Sequence, residues 1–271
     1  YLLGFEEFSL QDFSYLTFGG ILVTGSANAF NQILEIKQDK LMQRTAVRPL
    51  PKGNLTVFQA VIFAFIIGII GLFLLNKINP QGAFYGVMSK SSFFGLISVL
   101  LYVLSYTPLK RVSTISIFIG AIPGAIPFLL GYVAATDNFG LAAGILFAIQ
   151  FFWQFPHFIS ISWVQNDDYN RAGFKMMIGG EKGKLSAIVS IIMSCCLIFF
   201  STLPFLITVP KLHMSTFGFI TILTLGLIFL IKSIQLFIRQ DDVTAKKLMF
   251  FSLIYLPLLQ ILLIIDKYFI T

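Results

Sequence analysis

Charge is scarce in this chain. Asp, Glu, Lys and Arg make up 11% of its 271 residues, against roughly 25% in a soluble domain. That shortage excludes a water-facing globular fold for most of the sequence. Cysteine is scarcer still. The two present, Cys195 and Cys196, are adjacent within an apolar run, so they provide neither a disulfide framework nor a metal-binding pair and read as small core residues. Tryptophan occurs twice and phenylalanine 31 times, a balance that suits an apolar interior better than a soluble binding surface. No gap between the apolar runs would hold a soluble domain, and no short repeat or low-complexity segment is visible. What is present is hydrophobic: 57% of the residues, with a mean hydropathy of +0.87.

Eight apolar stretches reach the roughly 20 residues needed to cross a bilayer. They lie near 13–36, 56–75, 83–105, 113–133, 140–163, 185–208, 214–237 and 246–267, the third being interrupted by Lys90 and a serine run. The expected fold class is therefore an all-α, polytopic transmembrane bundle. The loops after spans one, three, five and seven carry fourteen of the nineteen basic residues, from Lys37 to Lys52, at Lys110 and Arg111, from Arg171 to Lys184 and from Arg239 to Lys247. The opposite face holds only Lys77, Lys211 and Lys267, so the basic loops are expected on the cytoplasmic side or its organellar equivalent. The net charge of +7 is then a juxtamembrane surface facing the lipid bilayer, and no nucleic acid is needed to explain it. Lys90 and Lys232 fall inside predicted spans, where snorkelling would explain them.

The informative polar residues gather where the first span meets water. Asn31, Glu35 and Asp39 recur every four residues, preceded by Asn28 and followed by Met42, Arg44, Thr45, Arg48 and Pro49. Four residues advance a helix by about 400°, so the three side chains share one stripe. Two carboxylates and a carboxamide make an oxygen-rich site suited to Mg2+. Acids at a helix C-terminus also oppose the macrodipole, which calls for a cationic partner. Arg44 and Arg48 beyond them suit an anionic group held by that metal. Metal and arginine at a membrane surface point to a diphosphate with a greasy tail.

A second acidic pair, Asp167 and Asp168, follows span five at the same predicted membrane level, with Tyr169 and Arg171 in the same loop. Two such clusters can hold metal ions around one diphosphate. Arg171 stands where a second acid would be expected, so this half is poorer in acid. Tyr106 to Arg111 (YTPLKR) adds a phenol and two cations, Lys110 and Arg111, suited to binding the diphosphate and assisting its departure. Span five contains WQFPHF, in which Trp153, Gln154 and His157 suggest a polar cavity within the membrane. His157 precedes Asp168 by eleven residues. On a straight helix it would lie on nearly the same face about 16 Å deeper, although Pro156 predicts a kink. Gly120, Pro123, Gly124, Pro127 and Gly131 in span four read as a packing or bending pattern.

These residues together resemble the UbiA-type intramembrane prenyltransferases, in their heme O synthase branch. The resemblance rests on NQILE with Asp39 and Met42, Arg44–Thr45, RPLP at 48–51, YTPLKR, the Gly/Pro pattern, WQFPHF, and DDY followed by Ala172 and Gly173. It spans nearly the whole chain. It implies one membrane domain over 1–271 with nine helices around a central cavity, so that a first helix is expected upstream of Tyr1. It implies metal ligation by Asn31, Glu35, Asp39, Asp167 and Asp168, diphosphate contacts at Arg44, Arg48, Lys110, Arg111 and Arg171, and a catalytic set of Asn31, Glu35, Asp39, Tyr106, Lys110 and Asp168. Trp153, Gln154 and His157 would serve the heme side.

The implied reaction uses Mg2+ as cofactor and transfers the farnesyl group of farnesyl diphosphate to a vinyl group of heme b, giving heme O for terminal oxidase assembly. The implied setting is the bacterial cytoplasmic or mitochondrial inner membrane, with a heme-handling enzyme downstream. Relatives often carry a further acid where this chain has Lys37, about 200° off the metal stripe. Two rival readings are a prenyltransferase acting on a quinone-precursor ring and a multispan transporter of an anionic or heme-like ligand. WQFPHF and the acid-poor second motif oppose the first. Polar clusters confined to one membrane face oppose the second, since transporter sites lie near the midplane.

Overall fold

Helix follows wherever the apolar runs were long. The computed structural model describes residues 1–82, 86–209 and 211–270, and contains no β-strand among them. Eight long helices form in order: α1 (Leu10–Leu34), α2 (Val57–Asn76), α3 (Lys90–Leu100, continued to Leu109), α4 (Ser116–Thr136), α5 (Leu141–Val164), α6 (Lys184–Leu206), α7 (Thr216–Arg239) and α8 (Asp242–Ile265). They match the eight expected spans within a few residues, except that the third begins at Lys90. The expected start of that span at 83–85 lies outside the described residues. Helices α2 to α8 are long and apolar enough to cross a membrane. The 25-residue α1 has the length but carries Gln11, Asp12, Thr17, Thr24, Asn28, Asn31 and Gln32.

Local signals explain the starts. Ser9, Ser89, Ser215 and Asp241 each accept a backbone N–H from the first turn, and Thr56 forms a capping box with Gln59. Lys90 is no mid-span lysine. It opens α3, where its Nζ bonds the backbone oxygen of Asp137 at 2.6 Å and its carboxylate at 2.8 Å.

The described residues fall into two compact units. The first contains α1 to α4 and the segment Asp167–Met176. Its seam between α1 and α2 is built on small residues. A Cβ on Gly71 would lie 2.9 Å from the backbone nitrogen of Val23 and 3.0 Å from the oxygen of Gly19. Ser26 Oγ bonds the Ala64 carbonyl across the same seam at 2.8 Å. The second unit contains α5 to α8. There α5 and α7 each pack against α6 and α8. The buried hydroxyls of Ser190, Ser194 and Ser233 satisfy one another between α6 and α7, so polar atoms in this apolar core keep partners.

Gly71→Ala should separate α1 from α2 and cost about 1–3 kcal/mol of stability. Gly144→Ala, where a Cβ meets nothing within 4 Å, should stabilise slightly. Thermal unfolding in detergent checks both. Equal midpoints for the two variants would remove the glycine seam as a cause of helix packing.

Candidate active site

The acidic stripe forms, but not on one helix. Helix α1 ends at Leu34, Glu35 adopts φ −108° and ψ 15°, and a short helix Ile36–Asp39 follows. Helical spacing survives the break because Glu35 N–H bonds the Asn31 carbonyl at 3.0 Å and Asp39 N–H the Glu35 carbonyl at 2.8 Å. Thr45 Oγ1 then bonds the Asp39 carbonyl at 3.0 Å, folding the chain back so that Arg48 Nη1 reaches Asp39 Oδ2 at 2.8 Å.

The basic side comes from α3, whose end widens into a π-helix over Leu101–Tyr106. Such widened turns are rare and recur at functional sites. Tyr102 and Tyr106 lie with ring centroids 5.1 Å apart, and Lys110 follows one turn later. Lys110 Nζ is 2.6 Å from Glu35 Oε1, and both side chains are under 10% exposed. The ammonium also stands 4.8 Å above the Tyr106 ring and 5.2 Å above Phe174. Burial pushes its pKa below the usual lysine value, while Glu35 acts in the opposite sense. Lys175 N–H bonds the Lys110 carbonyl at 2.7 Å, drawing the second acidic segment into the same unit.

These groups enclose a cavity of about 350 Å³. Asn28, Asn31, Glu35 and Asp39 supply its oxygens, Arg44, Arg48 and Lys110 its cations, and Tyr102, Tyr106, Tyr169 and Phe174 its aromatic wall. The Tyr169 phenol is raised above its ordinary pKa by burial, with the Arg44 guanidinium opposing.

Asp168 is buried nearby, accepting from the backbone N–H of Gln43 at 3.4 Å and pairing with Arg171. Asp167 is exposed. Arg111 is turned away, with Nη2 donating to the Leu34 carbonyl at 2.6 Å and so capping α1. Neither it nor Arg171 lines the cavity. Because α5 stops at Val164 and Asp168 belongs to a separate helix, Asn166–Arg171, the straight-helix projection from His157 to Asp168 does not apply.

Among the described residues no three acidic, histidine or cysteine side chains form a complete metal cage. The donor set nevertheless fits a hard cation. Asp39 is fully buried, and its Oδ1 has no hydrogen-bond partner; Gln38 Oε1 and Asn31 Nδ2 are likewise unsatisfied. A buried carboxylate oxygen left unpaired is costly, and a cation completed by substrate oxygens would satisfy it.

Two smaller cavities, of about 130 and 150 Å³, continue along α1 from the polar one. The first shares Asn28 and Tyr102 with it, and the second shares Val23, Thr24, Ser98 and Pro127 with the first. A Cβ on Gly20, in the wall of the farther cavity, would meet nothing within 4 Å. A separate apolar groove of about 430 Å³ between α1, α2 and α3 shares no lining residue with the polar cavity. In the second unit, Trp153 Nε1 donates to the Ser252 carbonyl at 2.9 Å, Gln154 Nε2 to the Gln150 carbonyl at 3.1 Å, and His157 Nδ1 lies 2.7 Å from Ser252 Oγ.

The profile of the UbiA prenyltransferase family matches residues 1–254. This chain belongs to that family. It is 43% identical to the protoheme IX farnesyltransferase of Flavobacterium psychrophilum, covering 99% of this chain and 87% of the relative. It is 33% identical to the mitochondrial protoheme IX farnesyltransferase of Homo sapiens, covering 91% of this chain and 53% of that protein. Among solved structures, a digeranylgeranylglyceryl phosphate synthase superposes with a TM-score of 0.77 at 21% identity, covering 96% of this chain and 87% of that one. A UbiA homologue from Archaeoglobus fulgidus bound to GPP and Mg2+ superposes with a TM-score of 0.66 at 13% identity, covering 94% and 88%. At these identities the structures establish the fold.

The UbiA-fold chain thus carries a prenyltransferase architecture whose polar cavity unites Asn31, Glu35, Asp39, Arg44, Arg48, Tyr106 and Lys110. Sequence reasoning missed Tyr102, Phe174 and Ser252. Tyr102 had a usable signal, one helical turn before Tyr106. Phe174 and Ser252 had none, being an ordinary aromatic and an ordinary hydroxyl in apolar surroundings.

Lys110→Met should leave Glu35 as a buried, unpaired charge and lower stability by about 3–5 kcal/mol. Adding Glu35→Gln should restore most of that loss. Unfolding of both variants in detergent measures it. A double variant as unstable as the single would show that the pair does not couple α1 to α3.

Proposed function

We propose that this protein transfers the farnesyl group of farnesyl diphosphate to a vinyl group of heme b, giving heme O and diphosphate. The polar cavity continuing into two apolar ones carries the reading, together with relatives named for this reaction. Asn31, Glu35, Asp39 and Asp168 would hold Mg2+, which when bound supplies counter-charge for the diphosphate. Arg44, Arg48 and Lys110 bind the phosphoryl oxygens and fix the leaving group. Their charge-assisted bonds strengthen as the carbon–oxygen bond breaks and its electron pair departs with the diphosphate.

The allylic cation left on the farnesyl chain forms beside the faces of Tyr102, Tyr106 and Phe174, rings of the kind that stabilise cations. The vinyl π electrons of heme b form the new carbon–carbon bond to it. Water adds to the resulting cation and releases a proton, leaving the hydroxyl of heme O. No covalent enzyme intermediate is required. Trp153, Gln154 and His157 serve the heme side, and the chain acts as one membrane domain.

The concentration of basic residues in four loops supports a site on the cytoplasmic face of a bacterial membrane, or the matrix face of a mitochondrial one. A membrane enzyme that further modifies the heme is the expected consumer of the product.

Glu35→Gln and Asp39→Ala should each reduce Mg2+-dependent farnesyl transfer by about a hundredfold or more. Pigment extraction from membranes incubated with heme b, farnesyl diphosphate and Mg2+ reads the product. Near-normal turnover in both variants at equal protein levels would remove the stripe from the mechanism.

The tail cavities make a separate expectation. From Asn28 to Thr17 the helix descends about 16 Å, close to the roughly 14 Å of an extended farnesyl chain at ordinary carbon–carbon spacing. Gly20→Leu should fill the farther cavity and shift preference toward geranyl diphosphate by about tenfold. Unchanged preference would place the tail elsewhere, with the groove between α1, α2 and α3 as the alternative.

A further inference from the structure

Ser252 ties both Trp153 and His157 of WQFPHF to α8. Its carbonyl accepts the Trp153 indole N–H at 2.9 Å, and its hydroxyl lies 2.7 Å from His157 Nδ1. Trp153 and His157 are also stacked, with ring centroids 4.7 Å apart and planes 16° from parallel. The imidazole is thus held on one face by the indole and at one nitrogen by α8. Pro156 interrupts the hydrogen bonding of α5 beside it.

The direction of the His157–Ser252 bond follows from a third contact. Ser252 Oγ lies 2.6 Å from the Met249 carbonyl oxygen. A carbonyl can only accept, so the single hydroxyl proton of Ser252 is engaged there. Two oxygens at that separation without a proton between them would repel. The hydroxyl therefore offers His157 a lone pair, and Nδ1 must be the protonated nitrogen. In the neutral ring this leaves Nε2 bare. Only Nδ1 of the ring is engaged in a hydrogen bond among the described residues, and the residue is 9% exposed.

We infer that Ser252 is a positioning residue that locks His157 in the Nδ1–H tautomer, presenting Nε2 as the base that ligates the iron of the heme substrate. The inference rests on the proposed assignment of His157 to the heme half of the reaction and adds the residue and the atom through which that half works. A ring nitrogen whose partner N–H is anchored to an acceptor is the arrangement by which proteins orient imidazole toward iron and raise its basicity. In this protein the acceptor is a serine hydroxyl relayed to a helix carbonyl. Nothing in the local sequence around His157 announces it, because Ser252 is 95 residues away.

The test uses the full chain purified in detergent and titrated with heme b alone. Visible absorption and electron paramagnetic resonance report axial histidine. Ser252→Ala should weaken heme binding by about tenfold and turn the single histidine-ligated signature into a mixture. Ser252→Thr, which keeps the hydroxyl and can still bond the carbonyl of the preceding turn, should restore both. The KM for farnesyl diphosphate should stay unchanged in all variants. His157→Ala should abolish the signature, and added imidazole should return part of it.

If His157→Ala keeps the wild-type spectrum, the heme assignment of His157 itself fails. If His157→Ala loses the spectrum while Ser252→Ala matches wild type in signature and affinity, the heme assignment stands and the positioning role of Ser252 is overturned. A matched decline in Ser252→Ala and Ser252→Thr would also overturn it, since packing rather than the hydroxyl would then be the cause.

Discussion

A buried ion pair organises the first unit of this molecule. Glu35 ends α1 where the helix dipole disfavours an acid, and Lys110 sits at the end of α3 where burial disfavours its charge. Neither position is tolerable alone. At 2.6 Å the two make each other tolerable, and in doing so they bring together the ends of two helices far apart in sequence. The aromatic rings beneath Lys110 and the backbone bond from Lys175 then assemble around that contact. Ion pairs of this kind add little net stability over a hydrophobic substitute, so their retention points toward chemistry.

The same matching recurs at Asp39 with Arg48 and at Asp168 with Arg171. Each pair sets an acid beside a base, and every component but Arg171 has an alternative partner in the proposed substrate complex. A metal–diphosphate has cationic and anionic parts, so it can take the acids by one and the bases by the other. Charge balance is kept through the exchange. A site of this type can be empty or filled without ever leaving a buried ion exposed to an apolar wall.

Most of the fold was legible because hydrophobic length is a blunt and reliable signal in a membrane chain. The site was half legible. Asn31, Glu35 and Asp39 stood out because acids are rare in this chain and their spacing is helical, and Lys110 because of its neighbours. The break at Glu35 was invisible, since the four-residue hydrogen-bond spacing continues through it. The π-helix at Leu101–Tyr106 was equally hidden, since nothing in LYVLSY marks a wider turn. Arg111 read as a phosphate ligand because composition cannot distinguish a cation aimed at a substrate from one capping a helix. Asp137, as partner of Lys90, and Ser252, as partner of His157, required three dimensions.

The polar face of α1 has a consequence for how that helix is accommodated in the bilayer. Its threonines and carboxamides give lipid little reason to accept the helix alone, whereas α2 is apolar from Ala60 to Leu75. Ser26 bonded to the Ala64 carbonyl and the glycines that let the two backbones meet hide part of that polarity only once the helices are side by side. Lipid therefore accommodates α1 better beside α2 than by itself. The carboxamides that α1 contributes to the wall of the polar cavity are the same ones that set it apart from its apolar neighbours.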